Sequence, residues 1–387
     1  MIYVFRILQA VTVVGAVSGT AYYALCLWGA ARFLHERKQT PQPDFTPPVS
    51  ILKPLKGADP EMYEAFRSHC LQDYPEYELV FGVADLNDPA AAAVRKLRQE
   101  FPDRAIQLLQ CSPAGGTNRK VATLQEMLPR ARYQHLLIND SDIRVAPDYL
   151  KEIMRPMQDS RVGIVTALYR AVAGKTFGSK IEAIGISTDF MGGVLSAREI
   201  EKGLHFALGS TLAFPREVLE KIGGFSPLLD YLADDYELGA RISNAGYQVA
   251  LARTVVQTHL PDYSFGAFWA HQLRWCRTIK DKRKGGYFGV LMSFGLPWAV
   301  LAVLAARGTW WSWLLLVVVA SARYALALAL SLAVLSDRRD FPNLWLVPLR
   351  DFVAMLLWGW AYAGNDIEWR GETFHLRDGK LFRIDPS

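Results

Sequence analysis

Cysteine is scarce in this chain. Four occur among 387 residues: Cys26, Cys70, Cys111 and Cys276. None forms a C-x-x-C pair, so neither a zinc site nor a disulfide framework is indicated, and the usage fits a reducing compartment. A dense block of one charge is also missing. The net charge is +5, and no basic stripe marks nucleic acid as a partner. Gly192-Gly193 and Gly223-Gly224 lack the surroundings of a P-loop or a dinucleotide fingerprint. There is no internal repeat and no low-complexity segment.

What is there is an uneven spread of apolar residues. The hydrophobic share of 51% is slightly high for a soluble protein, and the excess sits at the two ends. Ile7 to Ala31 carries no charge and meets the roughly 20 apolar residues a span needs. A signal peptide would have a shorter apolar core of about 7–15 residues and a small-residue cleavage site. This run is longer and ends in Tyr22, Tyr23 and Trp28, then a basic cluster of Arg32, His35, Arg37 and Lys38. It therefore reads as an uncleaved anchor. Only Arg6 precedes it, so the positive-inside rule puts the following domain in the cytoplasm.

Further runs cover Tyr287–Ala306 and Trp310–Leu335, the second containing Arg323, which must face protein or the interface. A fourth, Leu344–Gly364, is interrupted by Arg350 and Asp351 and could span or lie in the interface. The loop with Arg338 and Arg339 and the tail with Arg370, Arg377, Lys380 and Arg383 are both basic. They cannot both be cytoplasmic if that run crosses once. The expected order is an anchor with its basic flank (1–40), an α/β domain (41–264), an interfacial amphipathic segment (265–286), membrane helices (287–364) and a tail (365–387).

Pro41, Pro43, Pro47 and Pro48 mark a linker. Strand and helix patterns then alternate. Strands are expected at Val49–Leu52, Leu79–Ala84, Ile106–Leu109, His135–Ile138 and Val162–Ala167, and helices at Glu61–Leu71 and Pro89–Glu100. Such alternation predicts an α/β domain with a mostly parallel sheet covered by helices, and ligands beyond the carboxyl ends of the strands.

The carboxylates fall on that side. Asp85 and Asp88 follow the second strand, and Asp140-Ser141-Asp142 follows a later one. Two carboxylates that close repel, and Mg²⁺ or Mn²⁺, completed by the oxygens of a nucleotide diphosphate sugar, would relieve them. A solvated helix-capping turn is the plainer reading of the same residues. Asp234-Asp235 opens a helix, where the macrodipole alone favours acids; the functional alternative is a general base for an acceptor hydroxyl. Pro54 and Lys56, in Lys53-Pro54-Leu55-Lys56-Gly57, and Lys120, after Gly115-Gly116, are placed to meet phosphates or a nucleoside. His271, Arg274 and Trp275 share one face of a helix just before the membrane. Lys280, Lys282, Arg283 and Lys284 follow, able to meet anionic headgroups.

Taken in order, VSILKPLKGADP, LQDYPEYELVFGVADLNDPA, DSDIRVAPDYL, ADDYELGARISNAGY and the final R-W resemble the GT-A glycosyltransferases of the family-two type. Among these the chain is most similar to the ceramide glucosyltransferases and the bacterial hopanoid-associated glycosyltransferases, over about Val49 to Thr278. The resemblance implies a GT-A domain flanked by N- and C-terminal transmembrane helices. It places Asp85 and Asp88 at the nucleoside, Asp140 and Asp142 at the metal, Asp235 as the base, and Arg274 and Trp275 in the family's Q-x-x-R-W. His271 stands where glutamine is usual. Trp369-Arg370-Gly371 resembles the W-R-G element of related tails. The implied reaction is an inverting transfer of glucose or N-acetylglucosamine from a UDP-sugar to a membrane lipid, ceramide or a hopanoid polyol. A processive polysaccharide synthase shares these motifs, although few spans are left here for a polymer channel. A silent membrane scaffold is the non-enzymatic alternative.

Overall fold

The computed structural model describes residues 2–39, 43–112, 114–339, 341–369 and 371–384. Pro41 of the linker and Arg370 of the tail lie outside them.

Eight strands form one sheet: β1 (Val49–Leu55), β2 (Tyr77–Val83), β3 (Ile106–Gln110), β4 (His135–Ile138), β5 (Ile143–Arg144), β6 (Val162–Val172), β7 (Leu212–Pro215) and β8 (Gln248–His259). Their order is β3-β2-β1-β4-β7-β6-β8-β5. β1 to β4 run parallel, as do β6 and β8. β7 is antiparallel to β4 and β6, and β5 to β8. This is the mostly parallel sheet that the alternation of strands and helices predicts. β2 is buried along its whole length, as expected of a strand with helices on both faces. The helices Met62–Cys70, Pro89–Glu100 and Arg119–Met127 make the crossovers between β1 and β4. Each crossover restarts the chain at the same end of the sheet, so the loops after β1, β2 and β4 gather at the other end.

β1 and β6 both run further than their apolar cores predict. β1 continues through Lys53 and Pro54 because Lys53 is fully buried between its neighbours. β6 continues to Val172 because β8 pairs with it that far.

A helical arm leaves the sheet after β6. It runs Phe177–Gly185, makes a π-turn at Ile186–Phe190, and resumes at Met191–Ile200. The arm packs on the long first helix, Ile2–Lys38. Contact is close: a Cβ at Gly29 would lie 2.9 Å from Leu195 O. The same helix crosses a later one with small residues, since a Cβ at Gly19 would lie 2.1 Å from Gly295 Cα. Small residues at a crossing are how helices approach closely in lipid.

Among the described residues three helices are long and apolar enough to cross a membrane: Tyr3–Lys38, Trp310–Val334 and Phe341–Ala363. A bent pair, Lys284–Ser293 and Gly295–Ala305, broken by 57°, is a fourth candidate. Val4, Ile7, Val11, Val14, Trp313, Leu314, Val317 and Val318 are exposed on the first two. A water-facing helix would not carry such a continuous apolar surface.

The ends of these helices settle the conflict between the two basic segments. Gln9 donates to Ala305 O at 3.0 Å, which puts the end of the bent pair beside the start of the first helix. Arg37 donates to Val334 O at 2.9 Å and Arg170 to Ser336 O at 2.8 Å. The end of Trp310–Val334 is therefore back beside the α/β domain. The tail is there too. It folds into a small antiparallel sheet, β9 (Asp366–Trp369), β10 (Glu372–Arg377) and β11 (Lys380–Arg383). Leu381 N donates to Asp230 O at 2.8 Å, and Leu232 N to Gly379 O at 3.2 Å. Phe341–Ala363 thus begins and ends on the same side, and both basic segments lie with the α/β domain.

The charges that interrupt the apolar runs are turned inward. Arg323 makes a two-pronged contact with Asp351, Nε to Oδ2 and Nη2 to Oδ1, both at 2.8 Å. Arg350 donates to Gln272 Oε1 at 2.9 Å.

Candidate active site

Asn139 fixes the loop after β4. It is fully buried, and its amide donates to Tyr149 Oη at 2.8 Å and Ser210 O at 2.6 Å. The next three residues are Asp140, Ser141 and Asp142, aimed out of the sheet's carboxyl end. Ser141 donates to Asp59, and Thr258 on β8 donates to Asp142.

Two lysines hold Asp140. Lys53 donates to its carbonyl at 3.0 Å. Lys120 Nζ lies 2.8 Å from Asp140 Oδ1 and 3.3 Å from Asp234 Oδ2. Burial pulls the Lys53 ammonium down to about 7, against the pull of Asp142 and Asp140. Burial opposes charge on Lys120 too, but Asp140, Asp234 and Asp235 outweigh it and hold it above its usual range. Lys120 therefore stays a cation, the form that can meet a diphosphate.

The two acids at the start of the Asp234–Asn244 helix differ in their surroundings. Asp234 is buried and compensated, by Lys120 and by Asn118 Nδ2 at 3.3 Å. Asp235 accepts only from the Tyr236 N–H, at 2.8 Å, among the described residues. Burial and then Asp234 raise its carboxyl to about 6, while Lys120 pulls it down. Asp235 and Asp140 converge over Gly209. A Cβ there would stand 3.0 Å from Asp235 Oδ2 and 3.2 Å from Asp140 Oδ2. Glycine leaves this gap open. Gly209→Ala should lower kcat at least ~10-fold, since small misplacements of reacting groups cost that much or more. Steady-state kinetics on a variant with an unchanged melting point checks it; wild-type kcat would show that the two carboxylates need no free space between them.

The acid pair suits a divalent ion only if a substrate completes the shell. Among the described residues no group of three or more His, Cys, Asp or Glu side chains is arranged to hold a metal ion by itself. Mg²⁺ and Mn²⁺ are often held by one or two carboxylates plus phosphate oxygens. Burial and then Asp140 raise the Asp142 carboxyl to about 6; Lys120 pairs with Asp140, while Asp142 has no ion pair among the described residues. Asp140's side chain is 42% exposed, leaving an oxygen toward the cleft. The donor set fits such an ion.

An aromatic wall runs from these acids toward the apolar helices. Burial, with Asp235 and Asp140 nearby, raises the Tyr169 hydroxyl well above its usual range. The Tyr169 ring lies 6.0 Å from Phe190, Phe190 lies 5.4 Å from Trp275, and Trp275 lies 5.4 Å from His271. His271 Nδ1 is 2.9 Å from Oε1 of Glu182, which is 1% exposed. Tyr263 donates to the other oxygen of Glu182, and Arg274 is near enough to act on Tyr263. The helix Phe265–Lys282 carries all three residues of the sequence motif on this face.

The first acidic motif sits apart. Asp88 accepts from Gly57 N at 2.9 Å and caps the Pro89–Glu100 helix through Ala90 N at 2.8 Å. It joins the loops after β1 and β2. Asp85 is exposed and accepts from Asn87 N at 2.9 Å. Lys56 is exposed beside it, and Pro54 is half-buried within β1. None of these four is bonded to the Asp140–Asp235 group. Sequence reasoning missed Asp59, Thr258, Gly209, Tyr169 and Glu182. They come from loops, strands and the Phe177–Gly185 helix, whose packing brings them in, and no local pattern marks them.

The family described as "Glycosyl transferase family 21" matches residues 11–382. Among curated proteins, the chain is similar to a ceramide glucosyltransferase (number 3) of Caenorhabditis elegans, 24% identical over 86% of this chain and 73% of that one. A second from the same organism (number 1) is also 24% identical, over 66% of this chain and 57% of the relative. A probable glycosyltransferase of Bacillus subtilis is 23% identical over 60% of this chain and 55% of that one. Among solved structures, a mannosyltransferase of Pyrobaculum calidifontis in complex with GDP-Man and Mn²⁺ shares the fold, with a TM-score of 0.54, 21% identity and coverage of 91% of this chain and 99% of that one.

Proposed function

Because the chain belongs to glycosyl transferase family 21, we propose that it transfers one hexose from a UDP-sugar to the hydroxyl of a membrane lipid. UDP-glucose is the first donor and ceramide the first acceptor, with UDP-N-acetylglucosamine and a hopanoid polyol as the alternatives. One observation carries the reading: Asp235 and Asp140 meet over Gly209, at the inner end of an aromatic wall that leads to the apolar helices.

The reaction is an inverting single displacement. Asp235 takes the proton of the acceptor hydroxyl. The acceptor oxygen bonds to the anomeric carbon as that carbon's bond to the diphosphate oxygen breaks, so an α-linked donor gives a β-glycoside. The nucleotide diphosphate leaves with the bonding pair. Lys120, fixed between Asp140 and Asp234, meets the growing negative charge. Asp140 and Asp142 would hold a divalent metal, which supplies further neutralisation of that diphosphate. Asp85 and Lys56 border the outer cleft, where the nucleoside would lie. Trp275 and Phe190 exclude water from the acceptor side.

The helix ends support the following membrane arrangement. Tyr3–Lys38, the bent pair and Trp310–Val334 cross, and Phe341–Ala363 returns along the near face. Arg32, His35, Arg37 and Lys38 support a cytoplasmic position for that face, where nucleotide sugars are available to the cleft.

A transfer assay in detergent tests this, with UDP-glucose, ceramide and Mn²⁺. The expected product is a lipid carrying a single sugar. Chelation should abolish turnover, and Asp142→Asn should lower it at least ~100-fold, about 2.7 kcal/mol in barrier. A ladder of products would instead indicate a polymerase. Full turnover in a chelator would remove the metal from the mechanism.

A further inference from the structure

Asp189 is a carboxylate with no use in the reaction above. It sits in the π-turn Ile186–Phe190, a local widening of a helix often found at functional positions. It is half-buried, and among the described residues it makes no hydrogen bond or ion pair. Its depth is fixed by its neighbours. Thr188 accepts from Arg323 Nη1 through its carbonyl and from Nη2 through its hydroxyl, both at 3.2 Å. A Cβ at Gly192 would lie 3.5 Å from Cys26 Sγ, and one at Gly193 3.4 Å from Tyr22 Oη. Asp189 is therefore level with the apolar runs of the first helix and of Trp310–Val334. An ionisable group at that depth is costly and marks a functional position.

The surroundings say what it could bind. A Cβ at Gly185, about one helical turn before Asp189, would meet Arg350 Nε, and Asp189 and Arg350 both lie near Cys276. Arg350 is 8% exposed, and its Nε and Nη1 have no hydrogen-bond partner among the described residues. Arg323 pairs with Asp351, and Asp189 lies within electrostatic range of both, so over Arg323, Arg350, Asp351 and Asp189 the formal charge sums to zero. This is no trap for a phosphate. It offers one unused acceptor group and unused donors, which suits an uncharged headgroup rich in hydroxyl or amide N–H. The residue after Asp189 is Phe190, whose ring packs on Trp275 and Tyr169 beside the reacting acids.

We propose that Asp189 reads the acceptor: it accepts a hydrogen bond from a hydroxyl or N–H next to the reacting hydroxyl, and so selects polyol or hydroxy-amide lipids over simple alcohols. This rests on the lipid glycosyltransferase reading. A hydrogen bond to a charged group is worth about 10- to 100-fold in kcat/KM.

The experiment compares matched acceptors in the full-length protein. One pair is a ceramide and its isostere with an ester for the amide and hydrogen for the secondary hydroxyl. The other is a hopanoid polyol and its singly hydroxylated counterpart. Wild type should prefer the donor-rich member of the pair it uses by about 10- to 100-fold. Asp189→Ala should lose that preference, mainly through acceptor KM, while its affinity for UDP-glucose and its melting point stay at wild-type values. Asp189→Asn, which keeps an accepting oxygen, should recover part of it. A preference that persists undiminished in Asp189→Ala would overturn the inference and leave the function standing. No transfer by wild type to either pair would overturn the function itself, and this inference with it.

Discussion

Asp235→Asn should lower lipid glycosylation by about 10²- to 10⁴-fold, the range expected when a general base is removed, with UDP-sugar affinity nearly unchanged. The two neighbouring acids are not equivalent. Asp234 is spent on Lys120 and Asn118, so it organises the site. Asp235 keeps its carboxylate free and close to Asp140. A carboxyl raised to about 6 is still ionised in about nine of ten molecules at pH 7. It is also a stronger base than an ordinary aspartate, because burial and Asp234 disfavour its charge. Asparagine keeps the shape and the hydrogen bond from Tyr236 N–H but cannot take a proton. Asp234→Asn should behave differently: it frees Lys120 from one partner and should weaken donor binding as well as turnover. Single-turnover kinetics and donor binding on both variants separate the roles. Normal turnover by Asp235→Asn would sink its assignment as the base.

How much of this was legible beforehand varied with how local the signal was. His135–Ile138 and Pro89–Glu100 were read to the residue, because a short apolar run and an Asp-Pro start define them locally. The D-S-D loop follows directly from such a strand. β7 and β8 were not read, because β7 pairs antiparallel with β4 and β6 and β8 pairs parallel with β6, and these partners are distant in sequence. The tail sheet was also missed, though one signal was present: Asp378-Gly379 sits between alternating apolar residues. That dipeptide suits a tight hairpin turn, and both residues have positive φ. Lys53 looked like a loop lysine beside Lys56, but it is buried and serves Asp140. Nothing local distinguishes the two. Arg350 and Asp351 seemed to break an apolar run, since a sequence does not show that Arg323 and Gln272 await them.

That buried pair gives the second large effect. Removing one partner from Arg323–Asp351 should destabilise the protein by about 3–5 kcal/mol, because the charge left behind is buried and uncompensated. Arg323→Met or Asp351→Leu should each lower the melting point in detergent by roughly 6 °C or more. The double variant should recover most of this, since apolar side chains of similar size replace a buried pair at little net cost. Recovery of turnover is a separate matter. Arg323 also holds the Thr188 carbonyl and hydroxyl, and so fixes the π-turn that carries Asp189 and Phe190. With that hold gone the turn is free to shift, and Phe190 with it, away from Trp275. The double variant should therefore melt near wild type yet glycosylate poorly, with acceptor KM raised and donor affinity intact. If turnover returned together with stability, the pair would be a fastening between helices and the position of the π-turn would not depend on it.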